Sequence, residues 1–308
     1  MPVHLPQLSR RDFLKRAGLA GFALALAPEL QAGWFGKKRD RDTVVFFSDC
    51  HIAGDATTAF NHVNMADNLA ATIREFMEWP VKPAALIVNG DLAHRTGLPA
   101  DYQRFGSLIA PVRAVAPIHL SLGNHDDRQN FWSAFPQDAT LHSPELHRQA
   151  TVFSTERANW FLVDSLDLTN HTPGEIGIVQ RDWLSRELEK RPDKPAIVVG
   201  HHNLQFFQFG EDSVIGLKDS AEFGDLLVRH PQVKAFVFGH THDWHVETHA
   251  SGVHLINLPP TEYVFQAGRP SGWVRTTLNR NGAEFELRSL DKHHPEHGQI
   301  KQLTWRTA

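Results

Sequence analysis

The chain has 308 residues, of which 41% are hydrophobic and 21% charged, a composition typical of globular proteins. Its formal net charge of −4 gives no sign of the strongly basic surface of many nucleic-acid-binding proteins, so we expect no nucleic-acid partner. Because Cys50 is the single cysteine, the chain can form neither an intramolecular disulfide nor a cysteine-rich zinc site.

Residues 1–32 predict an export signal. Positions 9–15 resemble the twin-arginine (Tat) consensus, with Arg10 and Arg11 as the arginine pair. The apolar stretch 17–27 that follows is shorter than the roughly 20 residues of a membrane span. We predict cleavage after Ala32, a linker at 33–42, the Tat machinery as a partner, and a periplasmic or secreted protein without a membrane span. The alternative is an uncleaved N-terminal anchor or an amphipathic helix.

After the linker, short apolar runs alternate with helical patterns. Buried runs of this length between helices indicate βαβ units with sheets covered on both faces, and hence an α/β fold. The predicted strands are 43–48, 84–88, 118–122, 151–153, 160–163, 196–199, 235–238 and 253–258, and the predicted helices are 61–79, 99–115, 179–190 and 220–229.

The pattern changes near residue 271 to three further strand signals at 273–278, 283–290 and 302–305. Asn279-Arg280-Asn281-Gly282 between the first two predicts a hairpin turn. We therefore predict one domain over 43–262, with residues 263–308 as a β extension that completes one of its sheets.

Five of the predicted strands end in polar clusters that contain Asp, Asn or His. Side chains at the carboxyl ends of parallel strands gather at one edge of a sheet, where such folds bind ligands. Phosphoester hydrolysis by two metal ions needs a bridging carboxylate and several nitrogen and oxygen ligands. The clusters are Asp49-x-His51, Gly90-Asp91, Gly123-Asn124-His125-Asp126, Gly200-His201-His202 and Gly239-His240-x-His242.

This ordered set resembles the calcineurin-like metallophosphoesterase family over residues 43–262. Residues 123–128 and 217–242 are most similar to its class III cyclic nucleotide and glycerophosphodiester phosphodiesterase branch, and Pro259-Pro260-Thr261 resembles the family's closing loop near the site. The resemblance implies a four-layer α/β/β/α metallophosphoesterase sandwich, here with a C-terminal β extension.

The resemblance also implies two metal ions, for which an N/O ligand set suits Fe, Mn, Zn or Co. One side chain would bridge both ions, and three would bind each of them in addition. The implied ligands are Asp49, His51 and His242 for the first ion, Asp91 as the bridge, and Asn124, His201 and His240 for the second.

A metal-bound hydroxide would attack phosphorus in line, and His125 would stabilise the transition state or protonate the leaving oxygen. We expect Asp126 or Asp127 to orient His125, and we predict that Asp126 is catalytic together with His125. Asp127 and Arg128 are further candidates for contacts behind the ligands or with substrate.

Two more histidines lie next to the ligand motifs. His94 stands three residues after Asp91, where purple acid phosphatases carry a tyrosine ligand, so we hypothesise that it lies close to the first metal; the alternative is a solvent-exposed loop residue. His202 follows a ligand and is a candidate for the layer behind the metals or for a wall of the substrate site.

The leading functional hypothesis is hydrolysis of small organic phosphates, with phosphodiesters favoured over monoesters. The alternatives are a phosphomonoesterase that uses the same metals and a non-catalytic metal- or ligand-binding protein.

Cys50 lies between two predicted ligands. Because alternate side chains of a strand point to opposite faces, we expect Cys50 to face away from the site into the core. Phe206, Phe207 and Phe209 could pack within a loop or stack on a base.

Overall fold

The structure is a computed structural model that describes residues 39–139, 147–205 and 214–307. The predicted export signal and most of the predicted linker lie outside these residues, as do Phe206, Phe207 and Phe209. Within the described residues, no helix has the length and apolar character of a membrane span.

Strands and helices alternate through most of the chain, as the apolar pattern predicts. The strands are β1 (Thr43–Ser48), β2 (Ala59–Phe60), β3 (Val63–Asn64), β4 (Ala85–Asn89), β5 (Ile118–Ser121), β6 (Thr151–Ser154), β7 (Asn159–Leu162), β8 (Ala196–Val199), β9 (Val233–Phe238), β10 (His245–Thr248), β11 (His254–Asn257), β12 (Gly272–Leu278), β13 (Gly282–Ser289) and β14 (Ile300–Thr304). The helices are α1 (Met65–Glu78), α2 (Pro99–Arg113), α3 (Arg128–Ala134), α4 (Pro136–Ala139), α5 (Ile178–Glu189) and α6 (Ser220–Arg229).

Two six-stranded sheets form the centre of the molecule. The first has the order β14-β13-β12-β1-β4-β5 and the second β10-β11-β9-β8-β7-β6. In the first sheet β1, β4 and β5 are parallel, and in the second β7, β8, β9 and β11 are parallel. Each sheet therefore carries a row of parallel strands whose carboxyl ends point the same way.

Three layers of apolar side chains separate four layers of secondary structure. Phe46 and Trp160 pack in the layer between the two sheets. Phe47 and Phe76 pack between the first sheet and α1, whereas Phe223 and Phe236 pack between the second sheet and α6. The order is α/β/β/α, and the predicted fold class is confirmed. Cys50 is fully buried in the layer beside α1, as expected.

The first predicted helix starts later than its pattern suggested. The pattern placed it from residue 61, but Asn61 and His62 have φ of 48° and 65° and turn the chain between β2 and β3. Asn64 then caps α1, because its side chain accepts a hydrogen bond from the Asp67 N–H. The cap, which the pattern did not reveal, sets the start of the helix.

The strands after residue 271 belong to the first sheet. β12 pairs antiparallel with β1, and β13 and β14 follow it outward to the edge. The short helices α3 and α4 and the edge strand β10 had no prediction, because they are short and most of their residues are exposed or half-buried.

Candidate metal centre

The parallel strands of both sheets deliver polar side chains to one edge of the sandwich. Ser48, Asn89 and Ser121 lie side by side at the ends of β1, β4 and β5. Asp49, Asp91 and Asn124 follow these strands. In the second sheet, His201 follows β8 and His240 follows β9, so both sheets contribute to one site.

One group at this edge contains Asp49, His51 and His242. An oxygen or nitrogen of each lies within 4.8 Å of those of the other two. The Nε2 atoms of His51 and His242 are 3.0 Å apart, and His242 Nε2 is 3.5 Å from Asp49 Oδ1. All three residues are buried. These are the residues predicted to bind the first metal.

A second group contains Asp91, His201 and His240, whose ligand atoms meet the same 4.8 Å limit. Asp91 also joins the two groups, because its Oδ2 is 3.3 Å from His201 Nε2 and 3.6 Å from His51 Nε2. One carboxylate oxygen therefore faces histidines from both groups, which is the position that a bridging ligand needs.

Five of the seven predicted ligands have a left-handed backbone. Few residues other than glycine adopt positive φ, and strained backbone of this kind concentrates at functional sites. The surrounding fold holds the five in place: Asp49, His51, Asp91, His240 and His242, with φ between 44° and 69°.

Hydrogen bonds to carbonyl oxygens fix the tautomers of three histidines. His201 Nδ1 is 3.1 Å from the Asn89 oxygen, and His242 Nδ1 is 2.7 Å from the Tyr263 oxygen. His240 Nε2 is 2.8 Å from the Ile215 oxygen. Because a carbonyl only accepts, each neutral ring donates there and keeps a lone pair on its other nitrogen.

These lone pairs point into a site that also contains carboxylates, and this combination of donors favours the binding of cations. His201 Nε2 and the buried Asn124 Oδ1 have no hydrogen-bond partner among the described residues. Burial lowers the pKa of His201, but Asp91 and Asp49 outweigh it and raise the pKa to about 9. The carboxylates thus attract positive charge strongly, and the donor set fits metal ions that bind nitrogen and oxygen.

His125 lies at the rim of this group, half-buried, with a ligand atom within 4.8 Å of those of His51 and Asp91. Its backbone N–H donates to Asp91 Oδ1 at 2.8 Å, and its Nδ1 is 3.0 Å from the Arg95 carbonyl oxygen. The expectation that Asp126 or Asp127 orients this ring is therefore corrected: a backbone carbonyl does so.

Asp126 instead joins the loops after β4 and β5. Its carboxylate accepts hydrogen bonds from the N–H groups of Leu92, Ala93 and Gly123 and from the Tyr102 hydroxyl, at 2.9–3.1 Å. It is fully buried, and burial followed by the nearby Asp91 raises its pKa to about 7. These partners use both oxygens, so the carboxylate of Asp126 holds the two loops together, and its catalytic role stays a prediction.

Asp127 and Arg128 also have structural partners. Asp127 caps α3 by accepting a hydrogen bond from the Asn130 N–H at 2.8 Å. Arg128 binds the buried Asp164 carboxylate through two nitrogens, at 2.7 and 3.0 Å. Arg128 is thus held by this carboxylate, and the suggested contact with substrate finds no support in its geometry.

The two additional histidines occupy different places. His202 is fully buried, bonded through Nδ1 to Ser165 Oγ at 2.7 Å, and its ring centroid is 4.6 Å from that of His240. It therefore packs behind a predicted ligand. His94 joins none of the ligand groups found among the described residues, so the hypothesis that it lies close to the first metal gains no support.

The sequence did not reveal two residues that contact the predicted ligand His242, one through its carbonyl oxygen and one through its ring at the exposed rim of the site. Tyr263 supplies the carbonyl for His242 and also packs its ring 5.1 Å from that of His51. Phe265 stacks on His242. The signal was their position directly after the Pro259-Pro260-Thr261 stretch, but the pattern of a loop does not reveal which side chains or carbonyls reach the site.

Comparison with known proteins shows relatives among phosphodiesterases. The chain is 25% identical to a 3′,5′-cyclic-nucleotide phosphodiesterase from Nostoc sp., over 73% of this chain and 80% of that protein. It is 27% identical to the 3′,5′-cyclic adenosine monophosphate phosphodiesterase CpdA of Escherichia coli, over 72% and 76% respectively. A cAMP/cGMP dual specificity phosphodiesterase of Mycobacterium tuberculosis is 27% identical, over 65% and 61%.

Solved structures share the fold. A dimetal phosphatase from Danio rerio superposes with a TM-score of 0.67 at 14% identity, covering 86% of this chain and 99% of that one. PhoD gives a TM-score of 0.56 at 11% identity, covering 84% and 68%. The profile described as calcineurin-like phosphoesterase matches residues 43–244, about two thirds of the sequence. The chain therefore belongs to the calcineurin-like phosphoesterase family.

Proposed function

We propose that this phosphoester hydrolase cleaves phosphodiesters of small organic molecules at a centre of two metal ions. The observation that carries the proposal is the position of Asp91, whose Oδ2 faces His201 on one side and His51 on the other. A single carboxylate between two groups of nitrogen and oxygen ligands is the arrangement that a two-metal hydrolase needs.

When bound, the two ions would supply a nucleophile at neutral pH and neutralise charge on the phosphoryl oxygens. The ions would be held by Asp49, His51 and His242 on one side, by Asn124, His201 and His240 on the other, and by Asp91 between them. The Asn124 amide is a neutral ligand, so it would leave the centre more positive than a carboxylate in its place would.

His125 can supply the proton that the leaving group requires. The Arg95 carbonyl accepts from Nδ1, so in the protonated ring the second N–H, on Nε2, is free to donate to the leaving oxygen. The Arg95 carbonyl holds the ring in this orientation, and the backbone N–H of His125 is bonded to Asp91. The tie also fixes the distance between the proton donor and the metal ligands.

The preference for diesters is supported by the relatives, which are named as cyclic-nucleotide phosphodiesterases. The sequence around Asn124 and His125 resembles the same branch. We test this with metal-loaded protein and added Mn²⁺, comparing bis-p-nitrophenyl phosphate with p-nitrophenyl phosphate. Faster release of p-nitrophenol from the diester supports the proposal, faster release from the monoester makes the protein a phosphomonoesterase, and no release from either favours a binding protein.

We also propose that the chain is exported through the Tat pathway and acts outside the cytoplasm. The support is the twin-arginine motif at residues 9–15, the apolar stretch that follows it, and the small residue Ala32 directly before Gly33. An exported enzyme would meet phosphodiesters of the periplasm or medium, so intracellular second messengers become less suitable as its substrates.

A further inference from the structure

Phe265 stands out on the surface beside the candidate metal centre. It is 63% exposed, and it is the single aromatic side chain among the large hydrophobic residues that the described part of the chain exposes. Isolated exposed aliphatic residues are common on protein surfaces and need no explanation. An exposed phenyl ring in contact with a predicted metal ligand is a different case, because that contact places it at the reaction site.

The contact is a stacked one. The ring centroids of Phe265 and His242 are 4.3 Å apart, and the ring planes differ by 28°. Phe265 also meets Tyr263 edge-on, with centroids 5.7 Å apart. Since Phe265 as a whole residue is still 63% exposed with both contacts in place, it remains accessible to a molecule in the site.

The two aromatic residues belong to a strip of packed rings along the first ligand group. Tyr263 is 6% exposed and packs its ring 4.7 Å from Phe60, which belongs to the β2–β3 hairpin. The ring centroid of Tyr263 is also 5.1 Å from that of His51. The strip therefore has a buried, well-supported base and one exposed end, and Phe265 is that end.

We propose that Phe265 is a specificity residue that stacks on an aromatic group of the substrate, such as a nucleobase or an aryl ester. This inference rests on the proposed function and narrows its substrate class to phosphodiesters with an aromatic substituent. A phosphate bound at the proposed metal centre would lie next to His242, so a ring attached to it would be within reach of Phe265. Stacking on one aromatic side chain changes affinity by about 5- to 150-fold.

The test compares substrates with and without a ring. Phe265→Ala, Phe265→Leu and Phe265→Trp are assayed on bis-p-nitrophenyl phosphate, 2′,3′-cyclic AMP and glycerophosphoethanolamine. We expect Phe265→Ala and Phe265→Leu to raise KM for the two aromatic diesters by about fivefold or more, with kcat within about twofold. Phe265→Trp should keep the low KM of the wild-type protein, because tryptophan also offers a ring for stacking. The KM for glycerophosphoethanolamine should stay within about twofold in all three variants.

Ile178→Ala is the matched control, because Ile178 is 66% exposed on α5, which packs on the second sheet and supplies none of the predicted ligands. It should leave all three substrates unaffected. Equal losses on aromatic and non-aromatic diesters in Phe265→Ala would overturn the inference, since they would assign Phe265 to the support of His242. Unchanged KM for the aromatic diesters would overturn it as well.

Binding measurements separate this inference from the proposed function. Calorimetry on metal-loaded protein compares AMP with glycerol 3-phosphate, which has a phosphate but no ring. Tighter binding of AMP in the wild type, lost in Phe265→Leu, supports stacking even if the protein hydrolyses no diester. Equal affinities for the two ligands in the wild type contradict it, whatever the turnover.

Discussion

The Nε2 atoms of His51 and His242 face each other at 3.0 Å, although 191 positions separate the two residues in the chain. Tyr263 fixes the tautomer of His242 by accepting from Nδ1, so the nitrogen that faces His51 carries a lone pair. Two imidazoles with a carboxylate beside them, all buried, form a site that a cation stabilises.

Loss of a ligand histidine should remove one metal ion from the centre. His242→Ala deletes a ligand of the first group, and His201→Ala deletes one of the second. We expect the metal content of each purified variant to fall from about two ions per chain to about one, with a large loss of turnover. Inductively coupled plasma mass spectrometry measures the content directly.

His245→Ala is the matched control for these variants, because His245 follows the same motif but lies exposed on β10. It should retain both ions. A His242→Ala protein that keeps two ions would contradict the assignment of the first group.

Replacement of His125 should reduce turnover more than it reduces metal binding. His125→Ala removes the proposed proton donor, and general acid catalysis is worth about 10²- to 10⁴-fold. We expect a fall in kcat of this size on substrates with poor leaving groups and a smaller one on p-nitrophenyl esters, which need little protonation. Steady-state kinetics together with metal analysis check both parts. Loss of a metal ion in His125→Ala would make this residue a ligand instead.

The neighbouring carboxylates Asp126 and Asp127 should differ in their effect on stability. Asp126→Ala leaves three buried N–H groups without an acceptor, and we expect it to lower the free energy of unfolding by about 3–5 kcal/mol. Asp127→Ala removes one helix cap and should cost about 1 kcal/mol. Urea unfolding of the metal-free proteins measures the difference. Losses of equal size would show that Asp126 does not hold the two loops together.

His119 should make the fold less stable in acid. Its ring stacks on Phe153 with centroids 3.6 Å apart, and burial, with the nearby Arg113, lowers its pKa from 6.5 to about 4. The folded protein resists the proton that the unfolded chain accepts, so this contribution is complete above pH 6.5 and is lost as the pH falls towards 4. Because the ring is partly exposed, we expect a loss of about 1–2 kcal/mol at pH 5.

His119→Phe isolates this effect, since it keeps the stacked ring and removes the titrating group. Urea unfolding of both proteins in chelator, at pH 5 and pH 7.5, should show a smaller change with pH in the variant. Identical pH dependence would rule out His119 as a source of acid sensitivity.

Export should depend on the arginine pair. Arg10→Lys combined with Arg11→Lys preserves the charge but removes the feature that resembles the Tat consensus. We expect the double variant to stay in the cytoplasm with its signal attached, whereas the wild-type protein appears in the periplasm with Gly33 as its first residue. Cell fractionation and mass spectrometry of the intact chain make the comparison, and periplasmic delivery of the double variant would exclude the Tat route.

Most of the fold could be predicted because its strands are buried on both faces and read as unbroken apolar runs. β1, β4 and β8 illustrate this, since every residue in them is buried. The turn at Asn61 and His62 could not, since its residues fit the helical pattern of α1 and only the conformation of the chain separates them. β10 escaped because half-buried and exposed residues give an edge strand no apolar run.

The ligand set could be proposed from sequence because each member lies in a short polar cluster just after the end of a strand. The supporting groups could not, since a carbonyl oxygen such as that of Arg95 carries no information in its residue type. The same limit applies to Asp126, whose neighbour His125 suggested a catalytic pair. Its carboxylate instead accepts hydrogen bonds from the N–H groups of Leu92 and Ala93, which are distant in sequence.

The left-handed backbone at five of the predicted ligands lowers the stability of the fold at positions that the proposed activity requires. Glycine adopts such φ values without steric cost, so Gly in place of His240 or Asp49 would relieve local strain while removing a ligand. Selection for thermal stability alone would therefore favour the replacement of these predicted ligands. Bound ions reverse this balance, because they stabilise the native state only where the strained ligands are present.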